Sequence, residues 1–502
     1  MNREILLDSL LGQRRLAVYE DGELCELYIE RDGSESISGN IYAGHVENVL
    51  PGMNAAFVNI GLPKNAFLYA GDIQIDTRGD AELANRLKEV SIKKLVRPGQ
   101  QILVQVVKQS GGAKGPRVSS HITLPGRLMV LLPTMRYVGV SRKITQSDER
   151  SRLRALAEQL LDAHGCGMIV RTAAEHMDEE TLAAEYESLR QTWQDVLAQG
   201  NVIQAPALVH GENDLVSRAL RDMLNGDTSA VVTDDDALYR ALLDRARTCA
   251  PAFLDRIRLH TANIPLFDVR GVDAALSKAL NRKVWLKSGG YLIIDYTEAL
   301  TVIDVNTGKF VGKSSLSDTI FKTNCEAARE IARQLRLRDI GGIIIVDFID
   351  MDAQEQRDQL LALLREAIAR DRTSTNFAGF TALGLVELTR KKTRQPLHRL
   401  IMRACPTCGG AGIVENAESA ARRALGELRR KHAESPDQPY LIHAAKHVAG
   451  KLIEIGAPPG VRAHILPNDQ NDCAYKIEAL DQTALPEGTK PLIERKQMGD
   501  TR

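Results

Sequence analysis

The sequence predicts a multidomain protein of mixed α/β and α+β class, on three observations. The first is length: 502 residues exceed what one hydrophobic core holds, and about 150 residues per domain gives three or more modules. The second is a run of short β segments from Gly39 to Ile73, broken by Gly and Pro, in the manner of a small barrel. The third is a strand, an amphipathic helix and a second strand between Leu300 and Asp347. That order makes a β-α-β unit, whose two strands should run parallel.

Composition narrows the class. With 44% hydrophobic and 26% charged residues the chain reads as globular, and no window approaches the ~20 unbroken apolar residues of a membrane span. The start, MNREILLDSLLGQRRLAVYEDG, places Glu4 and Asp8 where a signal peptide needs a basic end and a long apolar stretch. Five of the seven cysteines (Cys25, Cys166, Cys249, Cys325, Cys473) lie far apart, and an odd total fits reduced thiols. A cytoplasmic protein without a membrane anchor is expected. Basic and acidic residues number 65 each, so net charge gives no argument for a polyanionic partner and local clusters must carry one. The densest holds Arg390, Lys391, Lys392, Arg394, Arg399 and Arg403, which by itself reads as a solvated face.

Residues 14 to 30 alternate in polarity on either side of Asp21-Gly22, a dipeptide suited to tight hairpins because both positions tolerate positive φ. The β run from Gly39 resumes at VRPGQQILVQVVKQ after a helical-looking insert. Its glycines, the Ala56-Phe57 and Ala66-Phe67 steps and the GQxIxVQV pattern resemble an OB-fold of the ribosomal S-one type. Such barrels bind single strands by stacking bases on exposed aromatics beside cations. Phe57 and Phe67 are candidates for stacking, and Lys114 of GGAKGPR for a phosphate contact. Alternation alone leaves open whether both Phe are barrel core.

A helix is predicted over residues 147–164, then GCGMIVRTAAEHMDEETL as a strand running into a helix start. Thr172 and Glu175 form a T-x-x-E capping box, which accounts for both. Arg171 lies outside that account, and an Arg beside free helix amides makes an anion or phosphate seat. Helical segments mixed with short strands fill much of residues 178–283. Then WLKSGGYLIIDYTEALTVIDVNTGKF reads as a hairpin of 290–295 against 300–305. A helix over about 318–338 carries Ile320, Ala327, Ile331 and Leu335 on one face and Arg329, Arg333 and Arg336 on others. GGIIIVDFIDMD reads as a fully apolar, buried strand.

Parallel pairing would bring Asp304, near the end of TVIDVN, and Asp347, in the corresponding place of IIIVDFID, to one edge of a sheet, where ligands collect in open α/β folds. Two hard oxygen ligands completed by waters suit Mg²⁺ in phosphate chemistry. Asn306, two residues after Asp304, points to the same side. An Asp at a strand end commonly starts a turn, although two after such strands are harder to explain so. Asp350 and Asp352 rank below the pair. A metal-dependent phosphodiesterase and a non-catalytic RNA-binding scaffold or chaperone both remain open on this pattern.

In CPTCGG, Cys405 and Cys408 are followed by Gly409, Gly410 and Gly412, which favours a tight turn wrapping zinc over a redox pair at a helix start. With no second C-x-x-C and no paired histidines, one chain supplies half of a tetrahedral site. The missing ligands should come from a second copy.

Together the S-one-type barrel, IVRTAAE, GGYLIID, the D-x-N of DVNTG, GGIIIVDFIDM, LGLVELTRKKTR and CPTCGG resemble the ribonuclease E/G family in identity and order, from about Ile5 to Glu415. The resemblance implies a ribonuclease-H-like subdomain made of residues 1–38 and 216–282. Inserted in it would be the OB-fold RNA-binding domain (39–124) and a 5′-phosphate sensor (125–215). A DNase-I-like catalytic subdomain (283–403), a zinc link (404–415) and a small mixed α/β domain (416–502) would follow. The implied activity is a Mg²⁺-dependent, single-strand-specific endoribonuclease stimulated by a 5′-monophosphate, acting on rRNA precursor and mRNA and leaving 5′-phosphate products. Asp304 and Asp347 would hold Mg²⁺ with Asn306 in support. Arg171 and Thr172 would sense the 5′ end, so capping is not the whole account of Thr172, and Phe57, Phe67 and Lys114 would clamp RNA. Cys405 and Cys408 would share one Zn²⁺ across a homodimer, with a dimer of dimers as the further option. Ribonuclease E carries a long basic, Pro-rich tail that this chain, ending at Arg502, does not show. That favours the shorter branch of the family, with a truncated ribonuclease E as the alternative.

Overall fold

The computed structural model describes residues 2–31, 37–74, 91–109, 115–211, 214–308, 316–469, 473–480 and 485–494. The chain divides into two compact units, Met1–Leu397 and His398–Arg502.

Strands β1 (Arg3–Leu10), β2 (Gln13–Glu20) and β3 (Glu23–Arg31) form two successive antiparallel hairpins. Asp21 and Gly22 both have positive φ, as the dipeptide predicts, and so do Leu11 and Gly12 at the first turn. Leu is a poor signal for that conformation, which is why β1 escapes a local reading.

Strands β4 (Ile41–Leu50), β5 (Ala55–Asn59), β6 (Ala66–Tyr69), β7 (Gln101–Lys108) and β8 (Arg117–Ser119) close on themselves in the order β4-β5-β6-β8-β7-β4. This five-stranded barrel is consistent with an OB-fold. Val46, Ala56, Val58, Ala66, Leu68, Val104 and Val118 fill its core. Gly44 allows the walls to meet there, because a Cβ would lie 2.5 Å from Val58 Cγ1.

Four short strands follow: β9 (Leu124–Pro125), β10 (Met129–Leu132), β11 (Val138–Val140) and β12 (Gly167–Val170). They pair in the order β11-β12-β10-β9 and share a core with helices α1 (Ser147–His164) and α2 (Glu179–Val202). The expected Thr172/Glu175 capping box does not form. Thr172–Ala174 is one 3₁₀ turn with no side-chain cap. The helix proper starts one turn later, where Asp178 accepts from the Thr181 amide at 2.7 Å. An Asp cap with two acceptor oxygens satisfies the orphan amides there instead.

Strand β13 (Ala207–His210) returns to pair with β4. Then β14 (Thr228–Thr233) and β15 (Ile257–Leu259) join the first hairpins in a sheet of order β15-β14-β1-β2-β3, with β14 parallel to β1. Residues 3–31 and residues 228–259 therefore contribute to one sheet, and both smaller β modules hang from the connection between them.

The last sheet of this unit runs β16 (Lys283–Trp285), β17 (Tyr291–Tyr296), β18 (Leu300–Asn306), β19 (Gly342–Asp347), β20 (Thr375–Phe380) and β21 (Val386–Arg390) in chain order, and β16-β17-β18-β19-β21-β20 in space. Helices α3 (Leu316–Leu337) and α4 (Gln354–Ala369) share its core. The predicted hairpin and the predicted parallel β-α-β pair are both present. One expectation needs correction. Strand β19 is not buried on both faces: Ile344 and Val346 are buried, whereas Ile343 is 48% exposed and Asp347 is exposed, because the helices cover one side only. The face of α3 that carries Arg336 is buried as well: α3 lies between two sheets, and Arg336 packs against Glu20 and Glu26 of the first one.

The basic cluster is likewise not one solvated face. Arg390 is buried between Asp371 and Asp339, each at 2.6 Å, and Arg394 bonds Asp339 and covers Tyr28. Lys391, Lys392, Arg399 and Arg403 are exposed.

The second unit contains helices α5 (Ala417–Glu434) and α6 (Lys446–Ile455) with strands β22 (Tyr440–Ala445), β23 (Ala463–Asn468), β24 (Tyr475–Ala479) and β25 (Lys490–Leu492), ordered β24-β22-β23-β25 around its own core. Among the described residues no helix is long and apolar enough to cross a membrane.

Candidate functional site

Alternation decides where the two aspartates point. Ile303 and Val305 of β18 and Ile344 and Val346 of β19 enter the core, so Asp304 and Asp347 stand on the opposite, open face. The parallel register sets them directly opposite one another. Asn306 shares the face, and its Nδ2 donates to Asp304 Oδ2 at 2.8 Å. Burial first, then the negative charges of Asp304 and Asp350, push the Asp347 carboxyl above its ordinary range. Among the described residues neither aspartate makes a direct ion pair, and Arg282 acts on Asp304 only from a distance, so the two carboxylates repel one another across the strands.

A loop contact fixes this corner. At Gly290 a Cβ would lie 2.8 Å from the Asn306 carbonyl oxygen, and at Gly308 one would lie 2.5 Å from the Gly289 carbonyl oxygen. Side chains at either position would prise apart the strand ends that carry Asn306. Among the described residues no group of three or more acidic, His or Cys side chains could enclose a metal. Two opposed carboxylates with open water positions nonetheless suit Mg²⁺, which keeps much of its hydration. Asp350 lies close enough to act on Asp347; Asp352 is exposed and shows no such influence.

On the barrel, Phe57 and Phe67 are cross-strand partners, with ring centroids 6.1 Å apart and edge to face. Their neighbours Ala56, Val58, Ala66 and Leu68 are buried while both rings are half-buried, so the rings line the outer wall and are not core. Arg117 is paired in register with Phe67 and bonds Asp72 at 2.7 Å. Lys114 lies outside the described residues.

Arg171 and Thr172 leave the end of β12. The Arg171 guanidinium donates to the Gly126 carbonyl at 2.6 Å and to Asp222 Oδ1 at 2.8 Å. Burial raises the Asp222 pKa, but Arg221 and Arg171 outweigh it and hold the carboxyl below its usual range. Thr172 is exposed, with its hydroxyl 3.0 Å from that of Ser141.

In the second unit Cys405 and Cys408 flank a tight turn. The Gly409 amide donates to the Cys405 carbonyl, the Ala411 amide to the Cys408 carbonyl and the Gly412 amide to Cys408 Sγ at 3.3 Å. Gly409, Gly410 and Gly412 all take positive φ, where side chains are strained. Hydrogen bonds from Cys408 and Thr407 lower the Cys405 thiol to about 7, a value that favours the thiolate a metal needs. Two sulfurs held by amides, with Cys405 exposed and Cys408 half-buried, fit half of a zinc site.

The model of the ribonuclease E/G family matches residues 123–393. The chain belongs to this family. Ribonuclease G of Escherichia coli strain K12 is 42% identical over 455 residues, covering 90% of this chain and 92% of its own. Ribonuclease G of Haemophilus influenzae is 43% identical over 451 residues with the same coverage. Ribonuclease E of Nostoc sp. strain PCC 7120 is 42% identical over 403 residues, 79% of this chain but 57% of its own.

Within this ribonuclease E/G chain, sequence reasoning missed three groups. Asp222 holds Arg171 from 51 positions away, and no local pattern links them. Arg117 joins the aromatic row only through the β6–β8 pairing. Lys283, Trp285 and Tyr291 share the open face with the aspartates. Their alternation was readable, but their neighbours were not.

Proposed function

We propose that the chain is a Mg²⁺-dependent, single-strand-specific endoribonuclease in which Asp304 and Asp347 hold the ion and Asn306 orients the Asp304 carboxylate. Endoribonuclease activity follows from family membership; the observation supporting these residues as its centre is the carboxylate pair in register on an open sheet face. When bound there, Mg²⁺ supplies Lewis-acid polarisation of a phosphate and a lowered pKa for water. Asn306 Nδ2 occupies one oxygen of Asp304, leaving the other oxygen free and aimed. The aromatic pair on the barrel wall offers stacking to unpaired bases, a contact that duplex RNA cannot make. Hydrolysis at this centre would leave a 5′-phosphate on the downstream fragment, in keeping with roles in rRNA 5′-end maturation and mRNA decay in the cytoplasm.

The expected outcome for Asp304→Asn or Asp347→Asn is a loss of cleavage of roughly 100-fold or more with RNA binding retained. Cleavage and binding are read separately on a labelled AU-rich oligonucleotide, with and without Mg²⁺. Cleavage at the normal rate in either variant sinks the assignment, and the absence of any Mg²⁺-dependent product in wild type would leave a scaffold.

Arg171 and Thr172 are read as a 5′-monophosphate seat. Arg171 has donors beyond the two in use, and a terminal phosphate would compete with Asp222 for it. Wild type should cut 5′-monophosphorylated RNA faster than 5′-hydroxyl RNA, and Arg171→Ala should shrink that difference. Equal rates on both substrates in wild type and variant remove the role. Cys405 and Cys408 are read as half of a Zn²⁺ site completed by a second copy.

A further inference from the structure

We infer that Lys283, Trp285 and Tyr291 form a nucleobase-stacking platform that holds the base flanking the scissile phosphate. The inference rests on the aspartate pair being the cleavage centre. Val284 packs toward the core and Leu292 is buried, so Lys283, Trp285 and Tyr291 project from the open face. Register then places them. One row across the sheet reads Trp285, Tyr291, Asn306, and the next reads Lys283, Ile293, Asp304, Asp347. Trp285 stands two strands from Asn306, roughly 10 Å at the usual strand spacing. The platform and the carboxylates thus occupy adjoining rows of one surface.

Its chemistry suits an unpaired base. Trp285 is 65% exposed, in a chain with two Trp and 4% aromatics. The Trp285 and Tyr291 rings meet edge to face, 5.5 Å between centroids. Lys283 Nζ sits 3.8 Å from the first centroid and 3.6 Å from the second, without an ion-pair partner among the described residues. A lid that only protected the edge strand β16 would bury the indole. Here the indole stays 65% exposed, with the Lys283 ammonium over one face to meet the adjoining phosphate while the other face takes the base. An aromatic face, a cation and continuity with a phosphate-cleaving centre specify single-stranded RNA as the occupant.

The test uses the full chain carrying Asp304→Asn, so that binding is read without cleavage, and Trp193→Phe, so that Trp285 is the sole indole. A short unstructured RNA should quench its emission, and an abasic nucleotide beside the cleavage position should abolish the quenching. Trp285→Ala should weaken RNA binding about 5- to 100-fold, Trp285→Phe should recover most of that, and the abasic substitution should cost Trp285→Ala nothing further. In cleavage-competent protein the same change should appear mainly in KM. Unchanged affinity, or an equal abasic penalty in wild type and Trp285→Ala, overturns the inference. Loss of self-association in Trp285→Ala with indifference to the abasic site overturns it too, and assigns the face to a second copy. Cleavage surviving in Asp304→Asn would instead remove the metal centre while leaving the stacking measurement intact.

Discussion

Phe57 and Phe67 sit between buried Ala and Leu or Val neighbours, and a strand's two-residue period sends them to the wall their neighbours leave. Their half-exposure makes them tolerable to lose for folding, whereas the proposed stacking makes them costly to lose for binding. Phe57→Ala and Phe67→Ala should each weaken single-stranded RNA binding by about 1–3 kcal/mol while the thermal transition moves little; titration with a fluorescent oligonucleotide measures the first and a melting scan the second. The same period was legible for Asp304, Asn306 and Asp347, which needed only the alternation of Ile and Val around them. It was not enough for Arg171. That guanidinium is defined by Asp222 and the Gly126 carbonyl, partners that no spacing rule connects to it.

At the scale of elements, β-turn chemistry and amphipathic patterning carried far. Asp21-Gly22, the β17–β18 hairpin and the parallel β18–β19 pair stand where local pattern puts them. Helix α3 shows where pattern stops: its apolar stripe marks one buried face, but Arg333 and Arg336 pack on a second sheet through hydrogen bonds. A charged side chain reads as exposed until its carboxylate partners are known. The glycine-rich turn at Cys405 was legible as a turn, and the shared zinc proposed there would make an assembly. Cys405→Ser should abolish bound zinc and convert a dimer to monomers, as seen by metal analysis and sedimentation, from a wild-type content of about one zinc per two chains. A wild-type content near one per chain, or a dimer indifferent to the substitution, contradicts the shared site.

Across the whole molecule, the first sheet joins residues 3–31 to residues 228–259 and also receives α3 through Arg336. Burial alone would push the Glu20 carboxyl up, but Arg336 and Arg3 outweigh it and hold it low. Glu26 is held low by Arg372, Arg336 and Arg3 against the same burial. Arg336→Ala would leave two buried carboxylates without their shared partner, a loss of about 3–5 kcal/mol. A lowered apparent Tm for that variant, with a smaller drop for Arg336→Ala combined with Glu20→Gln and Glu26→Gln, is the expected calorimetric result. An unchanged Tm in the single variant would show that the cluster does not join the sheets.

By itself the sequence determined the barrel, the parallel pair and the face on which its aspartates stand, because periodicity and turn chemistry act within a few residues. Only the tertiary structure decided that the opening hairpins complete a sheet with strands some two hundred residues later, that Arg336 is a buried connector, and that Trp285 shares a surface with Asp304. Those facts depend on register between distant segments. A chain's local preferences do not encode register; the burial of whole faces against one another selects it.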